Sequence, residues 1–430
     1  MNKLISLILH KNTVLIAICT ILPFLLIEGF TGIPMNKTIG FYLCLLICMI
    51  ILGTAVWKRK TPFSFKNMAF LLTHAGFFLT LLFSSLSSFE FQRLHVRAFS
   101  EIPENIAITE DHQMFLLPFQ ITLQNFEAEF YDNHQPKSYK AEIILTDGDT
   151  KKQHLLQVNR PARFMGYDIY LSSYDRTHPD RVDYVILLVI YDPWVLAKYI
   201  GIIMLILGLL LYICTLNFAK NRMVLPGVLL FGLIFSYLVF APYWFFGKNL
   251  VPALQSNWFF PHIAVYMFAY GSLAVACLLA IYTLFNRSRT GGARSLSPSA
   301  SLRINSVEVC FAGADLQSVP KKGEKFFAPK GIQIATDFSL KLGTMLMGIG
   351  LLFGALWAKT AWGNFWSFDL KETWAAIAWF AFMGVLHFKH AYENRRKTLS
   401  ILIIAAFLLL QMCWFGVNYL PEFLQSLHRY

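Results

Sequence analysis

His74 lies in LLTHAGFFL and His387 in GVLHFKH, each inside a long apolar stretch. Ionisable side chains within membrane-length apolar segments are rare and serve an ion, a cofactor or a proton path. Lys66 precedes His74 by eight residues, and Arg395 follows His387 by eight. If the two stretches are helices running in opposite directions, their imidazoles sit at similar depth and can face one another. Two opposed neutral imidazoles form an axial ligand set for haem iron. A helix–helix hydrogen bond is the plainer use of each ring, and His390, near the interface, is read that way.

The second cluster is WGNFWSFDLKETW, residues 362 to 374. It gathers Trp362, Phe365, Trp366, Phe368 and Trp374 around Asp369, Lys371 and Glu372. Flat faces with a few fixed charges suit a large, flat, partly charged ligand such as a porphyrin with its propionates. An interfacial tryptophan belt explains Trp374 or Trp379 taken singly, but not charges embedded among the rings. The three charged residues are expected to position propionates or an approaching substrate. His262, in NWFFPHIAVY, and His428, near the carboxyl end, are expected on the same membrane face, flanking a flat aromatic shelf as a second pair of iron ligands.

These residues need a bilayer to position them. Of 430 residues, 56% are hydrophobic and 14% charged, against about 45–50% and about 25% in soluble domains. The chain therefore reads as a polytopic α-helical membrane protein. Stretches of bilayer length (~20 residues) fall at about 13–30, 39–57, 67–86, 194–216, 224–246, 260–286, 338–358, 373–390 and 398–418, about nine crossings. Basic residues cluster in every second connection, including Lys58-Arg59-Lys60 and Arg395-Arg396-Lys397. By the positive-inside rule, the amino terminus is expected inside and the carboxyl terminus outside. The net charge of +12 is thus topological, and no nucleic-acid partner is expected. The first apolar stretch lacks a small-residue cleavage site and is read as a retained helix.

Residues 87–193 are then extracytoplasmic. FQITL and YKAEIIL alternate apolar and polar residues, and TDGD between strands reads as a turn. A small antiparallel all-β domain is expected, a sheet or sandwich short of a full core, leaning on the membrane part. Its five histidines, His95, His112, His134, His154 and His178, are read as solvated surface side chains. Residues 287–336 are Gly/Ser/Arg-rich without periodicity at their start and read as a disordered cytoplasmic insertion. Of seven cysteines, none lies in the β segment and none forms a C-x-x-C pair, so neither a disulfide framework nor thiol-relay chemistry is expected.

WGNFWSFDLKETWAAIAWF resembles the tryptophan-rich "WWD" signature of haem-handling proteins. VPALQSNWFFPHIAVY, VLHFKHAY and FGVNYLPEFLQSLHRY resemble the histidine segments of one branch, the system II cytochrome c synthases. FEAEFYDNHQPKSYKAEIILTDGD and VNRPARFMGYDIYLSSYD resemble its ResB partner, so the whole looks like a fused ResB–CcsA arrangement. The resemblance implies ResB-like helices over 1–86, a ResB-like β domain over 87–193, helices over 194–286 leading into the second half, the insertion 287–336, and a CcsA-like WWD core over 337–430. It also implies a multi-pass protein of the bacterial cytoplasmic (inner) membrane. Haem b would be held at His74 and His387, carried to the shelf between His262 and His428, and presented to the CxxCH thiols of apocytochrome c. Contacts from Trp362, Trp366, Phe368, Asp369 and Trp374 are implied, as is a thiol-reducing partner. No catalytic side chain is implied, because the substrate supplies the nucleophiles. Phe368 and Leu370 stand where the signature has Trp and Pro, and the chain stops just after His428, where the family continues into a further helix. The residues alone leave open a haem exporter that forms no bond, an electron-transfer cytochrome and a haem-free proton-relaying transporter.

Overall fold

A computed structural model describes residues 2–59, 63–175, 182–244, 249–292 and 330–421. After a short helix α1 (Asn2–Ile8), three long helices follow: α2 (Lys11–Thr31), α3 (Ile39–Lys58) and α4 (Phe65–Glu90). The chain then leaves the bundle through eight strands: β1 (Gln92–Phe99), β2 (Glu104–Thr109), β3 (Met114–Phe130), β4 (Pro136–Asp147), β5 (Thr150–Gln157), β6 (Ala162–Phe164), β7 (Tyr167–Tyr174) and β8 (Tyr184–Tyr191). It returns through α5 (Val195–Cys214), α6 (Leu225–Trp244), α7 (Phe259–Gly292), α8 (Lys330–Trp362), α9 (Leu370–Ala391) and α10 (Arg396–Trp414).

Among the described residues, eight helices are long and apolar enough to cross a membrane: α2 to α8 and α10. Of the nine expected crossings, only α9 is absent from that set. Its hydropathy is diluted by His387, Lys389 and His390, yet it packs between α2 and α10 within the bundle. Helices α7 and α8 extend into both ends of the segment expected to be a disordered insertion, to Gly292 and from Lys330. Residues 293–329 lie outside the described residues. Ends of four helices meet at one pole: Lys11 Nζ donates to Ala391 O (3.2 Å), and Asp337 of α8 pairs with Lys389 (2.8 Å) and Arg396 (3.0 Å). The β domain occupies the other pole.

The strands form one antiparallel sheet in the order β5-β4-β3-β2-β1-β8-β7-β6. The first and last strands in sequence are neighbours, paired from Gln92↔Tyr191 to Phe99↔Tyr184. The domain is therefore a closed excursion between α4 and α5, which touch along their lengths. An ideal Cβ on Gly76 would meet Leu205 N at 2.6 Å, and one on Gly201 would meet Thr80 Oγ1 at 2.7 Å. Close approach of the two backbones needs these small residues.

The domain differs from expectation in having a core of its own. Bulges at Leu123/Asn125 and Leu171/Ser173 bend long strands, as bulges do. β5 then packs back on β6 and β7, enclosing Leu94, Val96, Ile121, Ile143, Leu156 and Leu187, each 1% exposed or less. His112 and His134 are exposed, as expected. His95 and His154 are only partly exposed, and His154 Nε2 is buried, because the curl covers positions that a flat sheet would leave wet. His178 lies outside the described residues.

Candidate functional site

The inner histidines come from the two halves of the chain. His74 is in the middle of α4 and His387 in the last turns of α9. Each is partly buried and turns its Nδ1 back onto its own helix: His74 to Phe70 O at 2.9 Å, His387 to Met383 O at 2.8 Å. A carbonyl can only accept, so Nδ1 carries the proton and Nε2 carries the lone pair. Phe70 stacks on His74 (3.9 Å between centroids) and Arg59 lies over Phe70, fixing that imidazole's plane.

The aromatic segment links α8 to α9 and is pinned between bundle and β domain. Gly363 has φ +81°, and a Cβ there would strike Ile190 Cδ1 and meet Tyr170 Cε2 at 3.1 Å. No residue but glycine suits both the left-handed backbone and the space. Lys359, in the last turn of α8, pairs with Asp168 of β7 at 2.9 Å and donates to Gly363 O at 3.1 Å. Tyr170 donates its hydroxyl to Lys359 O at 3.0 Å. Burial, then Asp168 nearby, push that phenol up, so it remains a neutral donor. A second buried lysine, Lys198 of α5, binds Asp192 (2.7 Å) and Ser87 (2.8 Å). Both lysines lie over the ring of Phe365.

The described ring contacts of the segment fall into two groups rather than the single flat shelf expected, and Phe365 between them in sequence is buried against Tyr199 of α5. Trp362 packs on Trp357 (5.1 Å), which packs on Phe259 (5.4 Å) and His262 (5.9 Å). Trp366 and Phe368 instead pair with each other (6.3 Å), and Phe368 with Phe41 of α3 (6.0 Å). Trp374 lies deeper in the apolar cluster that Trp366, Phe368 and Phe41 also join. It is 0% exposed, its Nε1 donates to Gly29 O at 2.9 Å, and Phe30 meets it edge-on at 4.8 Å. Its ring ties α9 to α2.

The charges of the segment also have local work. Asp369 caps α9, accepting from Lys371 N at 3.0 Å, while Glu372 accepts from Ser367 N (2.8 Å) and Asp369 N (3.3 Å). This capping box starts the helix at Leu370. Leu370 is buried in the same cluster as Trp374. Phe368 sits at φ +57°, a strained conformation for an aromatic residue.

Beneath Trp366 and Phe368 lies a cavity of about 770 Å³, reached also by Ile21, Leu25, Phe41 and Phe77. That size suits a small-molecule ligand (roughly 300–1,000 Å³). His262 is not in its wall. It opens α7, and its Nδ1 donates to Gly350 O of α8 at 2.8 Å. Gly354 makes room for its ring, since a Cβ there would lie 2.8 Å from Cε1. His428 lies outside the described residues, so its place beside His262 is not described. Sequence reasoning missed Trp357 and the two buried lysines. A lone lysine inside an apolar helix, as in VLAKYIGI and GALWAKTAW, carries the same signal as the intramembrane histidines.

A helical bundle with a partly buried histidine on each of two helices, interrupted by a β domain, defines a class of polytopic membrane protein. Residues 194–425 match the model of the "Cytochrome C assembly protein" family, and residues 64–188 that of the "ResB-like family". The first match covers over half of the chain, which therefore belongs to the cytochrome C assembly protein family, with a ResB-like segment fused ahead of it. Curated proteins called cytochrome c biogenesis protein CcsA are similar. That of Crocosphaera subtropica is 33% identical over 41% of this chain and 61% of its own length. One from a strain of Prochlorococcus marinus is 31% identical over 42% of this chain and 56% of its own. That of Prochlorococcus marinus subsp. pastoris is 26% identical over 64% and 89%. In the first two the chain spans little more than half the relative's length.

Proposed function

We propose that this chain is a cytochrome c synthase of system II, which carries haem b across the bacterial cytoplasmic membrane and supports its covalent attachment to apocytochrome c. One observation carries the reading: His74, His387 and His262 all hold Nδ1 against a backbone carbonyl, at 2.8 to 2.9 Å. Metal-ligating histidines commonly donate their second nitrogen in this way, which fixes the tautomer and raises the basicity of the other. Haem is cargo here. His74 and His387 bind it within the membrane. His262, with His428 as its partner, binds it later near Trp362, while Trp366 and Phe368 guide it. Each CxxCH thiol then adds across a vinyl group, sulfur to one carbon and hydrogen to the other, so no group leaves. The apoprotein brings both thiols, which a separate thiol-reducing partner keeps reduced. Asp369 and Trp374 serve by holding the segment in shape.

The orientation follows from charge. Lys11, Lys389, Arg395 and Arg396 gather at the pole opposite the β domain, and positive-inside bias makes that pole cytoplasmic. The β domain and aromatic segment then face outward, where apocytochrome c arrives.

Coexpression with a CxxCH apocytochrome, in a host without other maturation systems, tests the activity. Covalent holocytochrome is expected from the wild type and not from His74→Gly or His387→Gly. Bound haem without covalent product would instead favour an exporter that hands haem to another ligase.

A further inference from the structure

Helix α8 presents two different faces to its surroundings. Gly348, Leu351, Leu352 and Ala355 lie in the wall of the cavity, at spacings that share one helical face. Gly350, Gly354 and Trp357 meet His262. At 3.6 residues per turn, Gly350 points about 200° away from Gly348. The cavity and His262 are therefore on opposite sides of one helix, and a ligand filling the cavity is out of that histidine's reach. Toward the inner pair, the cavity ends at Phe77, Trp379 and Phe380, with Phe77 packed edge-on against Trp379 at 5.6 Å. Phe77 is three residues from His74, ~4.5 Å along the helix.

Its other end is polar and cationic. Lys37 comes from the α2–α3 connection and Arg93 from β1, with Glu110, Ser85 and Ser88 beside them. Arg93 Nε is sealed from solvent without a hydrogen-bond partner in the described structure. Its ion pair with Glu110 spans 3.4 Å, and that carboxylate is 67% exposed. Lys198, also in the wall, is neutralised by Asp192. Of the side chains lining this end, two cations face one carboxylate, with Glu28 behind the wall bonded to Asn36 N, and the opposite end is apolar and aromatic. Such a site fits a flat amphiphile bearing carboxylates, since guanidinium binds carboxylate in a fork.

We propose that this cavity is a staging site for the tetrapyrrole between the inner histidines and the aromatic segment, with Arg93 of the ResB-like segment and Lys37 of the α2–α3 connection receiving its carboxylates. It deepens the haem-handling reading and rests on it. The ResB-like half would thus bind cargo directly, ahead of any contact with His262.

The full-length chain in detergent, carrying His74→Ala, His387→Ala and His262→Ala, would be titrated with fluorescent zinc protoporphyrin and with its dimethyl ester. The free acid is expected to bind at least about tenfold more tightly than the ester, the scale of one charge-assisted contact. Adding Arg93→Gln and Lys37→Gln should remove that preference, while Arg93→Lys with Lys37 intact should retain most of it. Equal binding of acid and ester in the parent, or an undiminished preference in the double Gln variant, would overturn the proposal. So would displacement of the porphyrin by an equimolar long-chain fatty acid, which would mark a lipid site. The wild-type spectrum with ferric haem separates the two ideas. A bis-imidazole spectrum without acid preference removes the staging site alone, whereas no bound haem removes the haem-handling reading.

Discussion

Nδ1 of a histidine bonded to a carbonyl four residues back leaves one geometry for the ring and one nitrogen for a metal. His74 and His387 both do this, and on the proposed reading that nitrogen is the one offered to iron. Removing either ring should cost haem affinity at the inner site by more than the ~10–100-fold that even outer-shell partners contribute. His74→Gly and His387→Gly are each expected to lose the bis-imidazole absorption spectrum of the purified chain, and millimolar imidazole should restore part of it. A spectrum unchanged in both variants would remove the inner site. The positions of these two rings were legible because ionisable groups stand out in apolar sequence. Their tautomer was not, since it depends on the rotamer each ring takes against its own helix. The lysines went unread for a related reason: Lys359 and Lys198 find their carboxylates on β7 and just after β8, partners remote or out of period in the sequence.

At the scale of elements, the α8–α9 link makes specific backbone demands. Gly363→Ala must take φ +81° and displace Ile190, so about 1–3 kcal/mol of strain is expected. Its thermal midpoint should fall while the inner haem spectrum stays intact. Asp369 permits a sharper distinction. As a helix cap, its replacement by Ala should cost about 0.5–2 kcal/mol, and by Asn very little. As a carboxylate that positions cargo, Asn would damage holocytochrome yield as much as Ala. The capping geometry favours near-wild-type yield for Asp369→Asn, and a yield as low as that of Asp369→Ala would refute the capping role. Strand alternation made FQITL, YKAEIIL and the TDGD turn readable, and they lie in β3, β4 and the β4–β5 connection. Closure of the sheet was not readable, because it depends on bulges and on β5 meeting β6 and β7. Neither leaves a periodic mark.

At the scale of the whole molecule, crossings and alternating basic connections could be read from composition, but which surfaces lock together could not. The structure places the lock at two buried ion pairs on either side of Phe365, Lys198–Asp192 and Lys359–Asp168. One joins the residue just after β8 to α5 and the other joins β7 to α8, so the β domain and the aromatic segment are held in one register. Asn159 of the β domain adds a contact to Pro252 O at 2.9 Å, ahead of α7. Lys359 is 4% and Asp168 15% exposed in their side chains. Breaking such a pair from one side typically costs about 3–5 kcal/mol, because the other charge stays buried and unpaired, whereas replacing both partners with apolar groups is often nearly neutral. Lys359→Met is therefore expected to loosen the β domain, measured as faster proteolysis of residues 87–193 and reduced holocytochrome yield. Lys359→Met combined with Asp168→Leu should recover much of the protease resistance. If the register also serves function, yield should not recover with it, since the lysine's bond to Gly363 O is gone in both variants. Recovery of both together would make the pair a structural clasp only. Recovery of neither would mean that Lys359 holds the β domain through its bond to Gly363 O rather than through Asp168.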